Sequence, residues 1–338
     1  MLRPLNMKVC AMMSKEAPMR EVEGTAKAIS DMKVRGAANI ARAASGALST
    51  FASAWKGKDR DAFVSDLKKA ALKLHSARPT AVSLRNGIEL TLSGAESGAT
   101  VEDVRTIVVR NSKRFIASSE EALRRIAEIG KGRIPPGATV MTHCNSMAAL
   151  SVIHAAFLDG KVSRVFATES RPWRQGHLTV KWLAERGVPV SLIVDPAVRH
   201  FMKAIDVVIV GADTVAANGA VINKIGTSQI ALCAKESRVP FVVCAETFKF
   251  SKETLLGALV EIEERGPEEV ADPLRPSDLP GVEFRNPVFD ATPPEYIDAI
   301  VTEVGVVSPY SAAEVIKEMF SVPGPVLTDG DRSRSSWI

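Results

Sequence analysis

The chain has 338 residues, of which 46% are hydrophobic, so it is long enough to bury two separate cores, and two domains are expected. Lys and Arg number 43 against 39 Asp and Glu, and the net charge of +4 gives no reason to expect a nucleic-acid partner. No segment is apolar over the length of a signal peptide or a membrane span, so the sequence favours a cytoplasmic protein with no membrane partner.

The first part of the chain has the residue spacing of helices. After an irregular tail up to residue 20, the pattern predicts helices near 21–31, 37–55, 59–76, 80–92 and 100–129. One apolar stripe, at helical offsets, consists of Ile40, Ala41, Ala44, Leu48 and Phe51. Glycine, proline and charge are then concentrated over 130–138, which is typical of a boundary. The sequence therefore predicts an all-helical domain over 1–131 and a second domain over 132–338.

The second part alternates short apolar runs with helical ones. The runs are ATVMTH, RVFATE, VPVSLIV, DVVIVGA and VPFVVCA. Their near-continuous apolarity predicts an α/β fold with a Rossmann-like, doubly wound parallel sheet. Ligands of such sheets bind beyond the carboxyl ends of the strands. The polar residues that follow the runs should share that edge: His143-Cys144-Asn145, Glu169-Ser170-Arg171, Asp195, Ala212-Asp213 and Glu246-Thr247. From Pro267 the pattern predicts a loop, then NPVFDATPPEYIDAIVTEVGVV, then a helix near 311–319.

Cys144 lies in a predicted turn between a buried strand and a helix that Ser146 can cap. Near a helix N-terminus the thiol should be more acidic than a free thiol, since the dipole favours the thiolate. Asp213, at the same sheet edge, could act as the acid to that base. The alternatives are a buried structural thiol and a turn aspartate. His143 is interpreted as structural.

The four cysteines favour reduced thiols and no metal site. They form no C-x-x-C pair and do not have the spacing of a small disulfide framework. A zinc site made of His143, Cys144, Cys233 and Cys244 is conceivable, but no pair among them has ligand spacing. The remaining cysteine is Cys10.

Several segments are suited to binding phosphate. Arg35-Gly36-Ala37-Ala38 would place a cation and backbone N–H groups at the start of a helix. Arg78 precedes a helix that starts with proline, and Asn223 and Lys224 lie in a predicted glycine-punctuated loop over 218–228. Lys249 is a further candidate cation. Each of these segments could equally be an ordinary loop or rim, and Arg171 and Gln175 could orient a substrate or hold a helix entry.

Eight motifs, in order along the chain, resemble a known superfamily: VRGAANIA, ARPTAV, THCNS, ESRPWRQG, GADTV, NGAVINKIGT, AETFKF and NPVFDATPPEYI. The superfamily unites the regulatory subunits of the translation initiation factor 2 exchange factor, methylthioribose-1-phosphate isomerases and archaeal ribose-1,5-bisphosphate isomerases. The isomerases use the cysteine of THCN and the aspartate of GAD, which the regulatory subunits usually lack. Since Cys144 and Asp213 are both present, the chain resembles an enzyme, and its Ala38, Ser146 and Thr214 favour the ribose-1,5-bisphosphate group.

The resemblance implies a reaction and residue roles. The chain would convert α-D-ribose 1,5-bisphosphate into D-ribulose 1,5-bisphosphate, in nucleoside-phosphate salvage that feeds a carboxylase, with Cys144 as proton acceptor and Asp213 as proton donor. It implies no cofactor and a homo-oligomer, either a dimer or a trimer of dimers. The alternatives are a methylthioribose-1-phosphate isomerase and a non-catalytic translation-factor subunit. The implied contacts with the phosphorylated sugar are Arg35, Gly36, Ala37, Ala38, Arg78, Ser146, Met147, Ala148, Asn223, Lys224 and Lys249.

Overall fold

A computed structural model describes residues 5–320, with side chains from residue 18 onward. The described residues form two compact units, one up to Glu120 and the other from Glu121. Cys10 lies outside the described side chains. No described helix has the length and apolarity that crossing a membrane requires.

The first unit is helical, as predicted. The stripe from Ile40 to Phe51 is buried in a core that α2 forms with α1, α3 and α4. Asp59 begins α3 by accepting N–H groups of Asp61 and Ala62, which satisfies amides that have no partner within the helix. The helices are α1 (Leu5–Ser30), α2 (Ala37–Ala54), α3 (Arg60–Ser76), α4 (Val82–Leu92) and α5 (Val101–Gly130), the last of which continues into the second unit.

The irregular tail predicted up to residue 20 was wrong for the described residues, because α1 already begins at Leu5. The segment from Leu5 to Met19 is rich in Met, Lys, Ala and Glu, all of which have high helix propensity. Weak amphipathic patterning concealed this helix, since the sequence offers no clear apolar stripe there.

The second unit is built on a seven-stranded sheet in which six strands are parallel and the edge strand β10 is antiparallel. The five predicted apolar runs form β1, β2, β3, β4 and β7. Along the sheet the order is β10-β9-β7-β4-β1-β2-β3, so the direction of succession reverses between β1 and β4. The strands are β1 (Ala138–Thr142), β2 (Val162–Thr168), β3 (Val190–Ile193), β4 (Val207–Gly211), β7 (Phe241–Cys244), β9 (Ala299–Thr302) and β10 (Gly305–Val307).

Helices pack on both faces of this sheet. Alternate residues of a strand point to opposite faces, so Val140 belongs to one buried cluster and the adjacent Met141 to another. The Val140 cluster contains residues of α6, and the Met141 cluster contains residues of α9 and α11. The helices of this unit are α6 (Met147–Leu158), α7 (Gln175–Ala184), α8 (Val198–Phe201), α9 (Thr227–Ser237), α10 (Glu268–Ala271) and α11 (Ala312–Phe320).

A second, three-stranded antiparallel sheet corrects one prediction. It consists of β5 (Thr214–Val215), β6 (Val221–Lys224) and β8 (Phe289–Thr292), in the order β5-β6-β8. The loop predicted over 218–228 was therefore wrong for Val221 to Lys224, which are buried in the central strand. The partner strand β8 is distant in sequence, so local patterning could not reveal the pairing.

Candidate active site

The Cys144 turn (143–146) joins β1 to α6 beside the point where the strand order reverses. The Cys144 N–H donates to Ser170 Oγ at 2.8 Å, and Thr179 Oγ1 donates to the Cys144 carbonyl at 2.7 Å. Cys144 has a φ of 65°, in the left-handed region that costs a residue with a Cβ about 1–2 kcal/mol. The fold therefore holds Cys144 in a strained conformation by hydrogen bonds to its N–H and carbonyl groups.

His143 connects the Cys144 turn to the start of α9. The Ile225 carbonyl can only accept, so His143 Nε2–H donates to it, at 2.9 Å. His143 Nδ1 then accepts from Thr168 Oγ1 at 2.5 Å. Burial lowers the pKa of His143, which agrees with a neutral ring that has a partner at each nitrogen.

Burial raises the pKa of the Cys144 thiol to about 11, and the negative charges of Asp213 and Asp195 act in the same direction. Lys224 and the N–H of Asn145 lower the pKa but do not outweigh burial. The prediction of a thiol made acidic by the helix was therefore wrong. Cys144 lies two residues before the cap of α6, and the dipole effect falls off within the first turn.

Asp213 follows β4 at the same edge of the sheet, and its N–H donates to the Ile222 carbonyl at 2.9 Å. The residue two positions before Asp213 is Gly211, at the end of β4, where this strand passes close to the start of α6. A Cβ on Gly211 would lie only 2.2 Å from Ser146 Oγ. Because no larger residue fits between strand and helix cap, Gly211 allows the Asp213 backbone to come close to the Cys144 turn.

Ser146 caps α6, with its Oγ accepting the Ala149 N–H at 3.4 Å. The amides of Met147 and Ala148 lie in the first turn, where N–H groups have no acceptor within the helix. Such amides, together with the helix dipole, form a site suited to a phosphate. The predicted phosphate contacts over 146–148 are therefore placed at a helix start that no carboxylate caps.

The predicted cations of this unit are both buried. Lys224 lies at the end of β6 with its Nζ 5.0 Å from the centre of the Phe289 ring. Its positive charge lowers the pKa of Cys144. Asn223 donates through its Nδ2 to Thr227 Oγ1 at 3.0 Å. Lys249 forms a buried ion pair, with its Nζ 2.7 Å from Glu246 Oε2, so its charge is already compensated within the protein.

The other predicted contacts belong to the first unit. Arg35 donates through its Nε to the Met32 carbonyl at 2.6 Å, and Gly36 takes a φ of 85° directly before α2. Ala37 and Ala38 are the first residues of α2, and Arg78 follows α3.

Sequence reasoning missed or did not assign several polar residues of the second unit. Asp195 accepts the N–H groups of Ser170 and Arg171, both at 2.8 Å. Asp290 accepts the Gly226 N–H at 2.8 Å and thereby caps the start of α9. Position after a strand was the only sequence signal for Asp195, and nothing local indicated Thr179. The described residues contain no group of His, Cys, Asp and Glu arranged to hold a metal ion.

Comparison with known proteins places these features in a family. A family model described as the Initiation factor 2 subunit family matches residues 33–309. A ribose 1,5-bisphosphate isomerase of Archaeoglobus fulgidus is 54% identical, with 90% of this chain and 96% of the relative covered. One of Methanocaldococcus jannaschii is 47% identical, with 91% and 98% covered. A methylthioribose-1-phosphate isomerase of Acetivibrio thermocellus is 39% identical, with 84% and 87% covered.

Solved structures give the same assignment. The 5-methylthioribose 1-phosphate isomerase of Pyrococcus horikoshii OT3 superposes with a TM-score of 0.73 at 32% identity, with 88% of this chain and 87% of that chain covered. The delta subunit of translation initiation factor eIF-2B from A. fulgidus gives 0.69 at 37% identity, with 88% and 91% covered. The resemblance inferred from the eight motifs is confirmed, and the chain belongs to the Initiation factor 2 subunit family.

Proposed function

We propose that this chain is a ribose 1,5-bisphosphate isomerase that converts α-D-ribose 1,5-bisphosphate into D-ribulose 1,5-bisphosphate. The observation that carries the proposal is the high identity, over nearly the full length, to curated archaeal proteins of that name. Identity to the methylthioribose-1-phosphate isomerases is lower. The presence of both Cys144 and Asp213 at one sheet edge agrees with an enzyme rather than a non-catalytic subunit.

The proposed chemistry opens the sugar ring and moves the carbonyl function to C2. Cys144 removes the C2 proton, and the electrons of that bond form a double bond between C1 and C2. The bond from C1 to the ring oxygen breaks, and the ring oxygen takes a proton from Asp213, which has to be protonated when the substrate is bound. The resulting enol, with phosphate still on C1, loses the proton of its C2 hydroxyl while C1 gains a proton. C2 is thereby oxidised and C1 reduced within one molecule, so no external electron acceptor is required.

The proton transfers require Cys144 to react as a thiolate, although burial raises its pKa to about 11. The neighbouring cation Lys224 favours the thiolate, and a shift of one pKa unit corresponds to about 1.4 kcal/mol. The thiolate is therefore a minor population at neutral pH, and its fraction increases as pH rises. Turnover requires in addition that Asp213 carries the proton that it donates to the ring oxygen.

The two phosphates of the substrate require cations and amides. We propose that the N–H groups of Met147 and Ala148, with Ser146, bind one phosphate oxygen at the start of α6. Asn223, Lys224 and Lys249 are proposed as further contacts, with Lys249 exchanging part of its ion pair with Glu246 for the substrate. The contacts proposed on the first unit are Arg35, Gly36, Ala37, Ala38 and Arg78.

Turnover of the purified protein tests the proposal directly. Ribose 1,5-bisphosphate and methylthioribose 1-phosphate are supplied separately, and formation of the ketose product is followed for each. The proposal expects turnover of the bisphosphate and at most weak turnover of the thioether. The Cys144→Ser and Asp213→Asn variants should each lose about 100- to 10,000-fold in kcat while still binding substrate. Near wild-type kcat in either variant would contradict the assigned roles.

A second candidate is methylthioribose-1-phosphate isomerase, which the superposition on a solved enzyme of that activity favours. The two substrates differ at C5, where one carries a phosphate and the other an apolar thioether. Preferential turnover of the thioether would select this candidate.

The organisation of the chain is proposed alongside its activity. An N-terminal helical domain over 1–131 precedes a Rossmann-like, doubly wound domain over 132–338, which the reversal of strand order between β1 and β4 supports. A homo-oligomer, either a dimer or a trimer of dimers, is proposed from the family resemblance, and light scattering of the purified protein tests it. The cytoplasmic location stays a prediction.

A further inference from the structure

Asp195 lies two residues after the end of β3, and its carboxylate has no role in the chemistry proposed above. It accepts two backbone N–H groups of the β2–α7 loop, from Ser170 to Oδ1 and from Arg171 to Oδ2, each at 2.8 Å. Each carboxylate oxygen therefore holds one of two consecutive backbone amides. Hydrogen bonds to an ionised acceptor are stronger than neutral ones, so this contact determines where the loop lies.

Ser170 connects Asp195 to Cys144 through hydrogen bonds. Ser170 has a φ of 60°, in the same left-handed region as Cys144, and its Oγ accepts the Cys144 N–H at 2.8 Å. The same Oγ lies 3.3 Å from His143 Nδ1 and 3.4 Å from Thr168 Oγ1. Cys144 and Ser170, which both have a positive φ, are thus hydrogen-bonded to each other. The carboxylate of Asp195 in turn holds the backbone of Ser170.

We propose that Asp195 is a positioning residue for the proposed isomerase reaction: it fixes the Ser170 backbone so that Ser170 Oγ holds Cys144 in its left-handed conformation. This inference rests on the proposed function only for its kinetic readout. The contacts that carry it belong to the unliganded protein and can be tested without substrate.

The charges that face Cys144 give Asp195 a second measurable effect. They come from three segments: Lys224 ends β6, Asp213 follows β4, and Asp195 follows β3, while the adjacent His143 is buried and has a lowered pKa. Asp195 is one of the two carboxylates that raise the pKa of Cys144. Neutralising it should therefore make the thiol more acidic while loosening its position.

Asp195→Asn removes one acceptor and the charge with little change of shape. The amide can accept one N–H, but its NH₂ group faces the other donor. We expect kcat to fall about 100-fold, because a displaced catalytic group costs that much, with KM within about threefold of wild type. Iodoacetamide should alkylate Cys144 faster at pH 8 than in wild type, because the thiolate is the reactive form.

Asp206→Asn is the matched control. Asp206 Oδ2 accepts the Thr139 N–H at 2.8 Å, so it is also a carboxylate bound to a backbone amide. It lies at the amino-terminal ends of β1 and β4, away from Cys144. The control should change neither kcat nor the alkylation rate. If Asp195→Asn changes kcat and alkylation no more than Asp206→Asn does, the proposal is overturned.

A double-mutant cycle with Ser170→Ala tests the route of action. Ser170→Ala removes the acceptor of the Cys144 N–H and leaves the backbone amide that Asp195 binds. Since Asp195 acts through Ser170, the double variant should lose about as much kcat as the more impaired single variant. Additive losses would overturn the route, as would a loss of kcat that only follows a fall in thermal stability.

The two proposals fail in different ways. If the wild-type protein turns over neither substrate, while Asp195→Asn and Ser170→Ala each change the alkylation rate and their effects are not additive in the double variant, the proposed function fails and the positioning role stands. If Cys144→Ser abolishes turnover but Asp195→Asn behaves like the control, the positioning role fails alone.

Discussion

Two turns, each leading from a strand into a helix, are connected through His143 but differ in construction. The Gly226 turn (225–227) uses a glycine at its φ of 100°, and the Asp290 carboxylate accepts the N–H groups of Gly226 and Ser228 at the start of α9. The Cys144 turn places a side-chain-bearing residue at a φ of 65°, and α6 is capped only by the Ser146 hydroxyl.

This difference separates a structural turn from one suited to an incoming anion. At α9 the protein supplies its own negative charge, so the helix start is already satisfied. At α6 the first-turn amides of Met147 and Ala148 remain for an external acceptor. Of the two turns, the Cys144 turn is the one that places a residue with a Cβ in the left-handed region, and such strain is often found at functional sites.

The largest expected effect is that of Cys144→Gly, which places a glycine in the Cys144 turn, as in the Gly226 turn. We expect kcat to fall at least ~100-fold, since the proposed base is removed. The free energy of unfolding should change by less than about 1 kcal/mol, because relief of left-handed strain offsets the gain in chain flexibility. Enzyme assays and urea denaturation provide the two measurements.

Gly226→Ala is the reverse exchange and the control. An added Cβ would lie 3.2 Å from His143 Cε1, at a φ of 100° that suits glycine. We expect a loss of about 1–3 kcal/mol in the free energy of unfolding. If Cys144→Gly destabilised the protein as much as Gly226→Ala does, the contrast between the two turns would be lost.

The second prediction concerns pH and the reactivity of the Cys144 thiol. If its pKa is about 11, the rate at which iodoacetamide alkylates Cys144 should rise about tenfold per pH unit between about pH 7.5 and 9.5, since the thiolate is the reactive form. Peptide mass spectrometry measures the rate, and the Cys144→Ser variant controls for alkylation of the other cysteines. A rate that levels off below about pH 9 would contradict a raised pKa.

The sequence predicted the large sheet but not the small one, for a physical reason. The runs that form β1, β2, β4 and β7 are apolar enough to be recognised locally, and they correctly bring Cys144 and Asp213 to one edge. The strand character of Lys224 depends on pairing with Phe289, more than sixty positions further along the chain. Asp290, which caps α9, arrives on that same strand, so both features required the tertiary structure.

The electrostatics of Cys144 could not be predicted either. The strand-turn-helix pattern correctly placed the thiol before α6, and the dipole argument followed from that placement. Burial, however, depends on how many elements cover the turn, and Asp195 contributes its charge from the end of β3. The sign of the pKa shift was therefore a property of the assembled fold rather than of the motif.

The third prediction uses Asp290, whose pKa burial raises to about 6 despite the N–H groups that it accepts. The ordinary pKa is about 3.9, so the folded state binds this proton more tightly than the unfolded state. Its stabilising contribution is complete below about pH 4 and is lost as pH rises through about 6, by up to about 3 kcal/mol. Asp290→Asn should remove this part of the pH dependence.

Denaturation of wild type and Asp290→Asn at intervals between about pH 4 and 8 measures the difference. Above pH 7 the carboxyl is ionised in both states, so the difference between the two proteins should become constant, which serves as the internal control. A constant difference across the whole range would contradict a raised pKa for Asp290.

The smallest expected effect is that of Ser146→Ala, which removes the hydroxyl cap that distinguishes α6 from α9. The bond to the Ala149 N–H is long, at 3.4 Å, so we expect a loss of about 0.5–1 kcal/mol in the free energy of unfolding, at the low end of cap losses. If the start of α6 binds a substrate phosphate, KM should rise while kcat changes less, because a ground-state contact is lost. Ser228→Ala, at the start of α9 where the carboxylate of Asp290 accepts the backbone N–H, is the matched control and should leave KM unchanged. An equal rise of KM in both variants would mean that the two helix starts are equivalent, and the phosphate would then have to be assigned elsewhere.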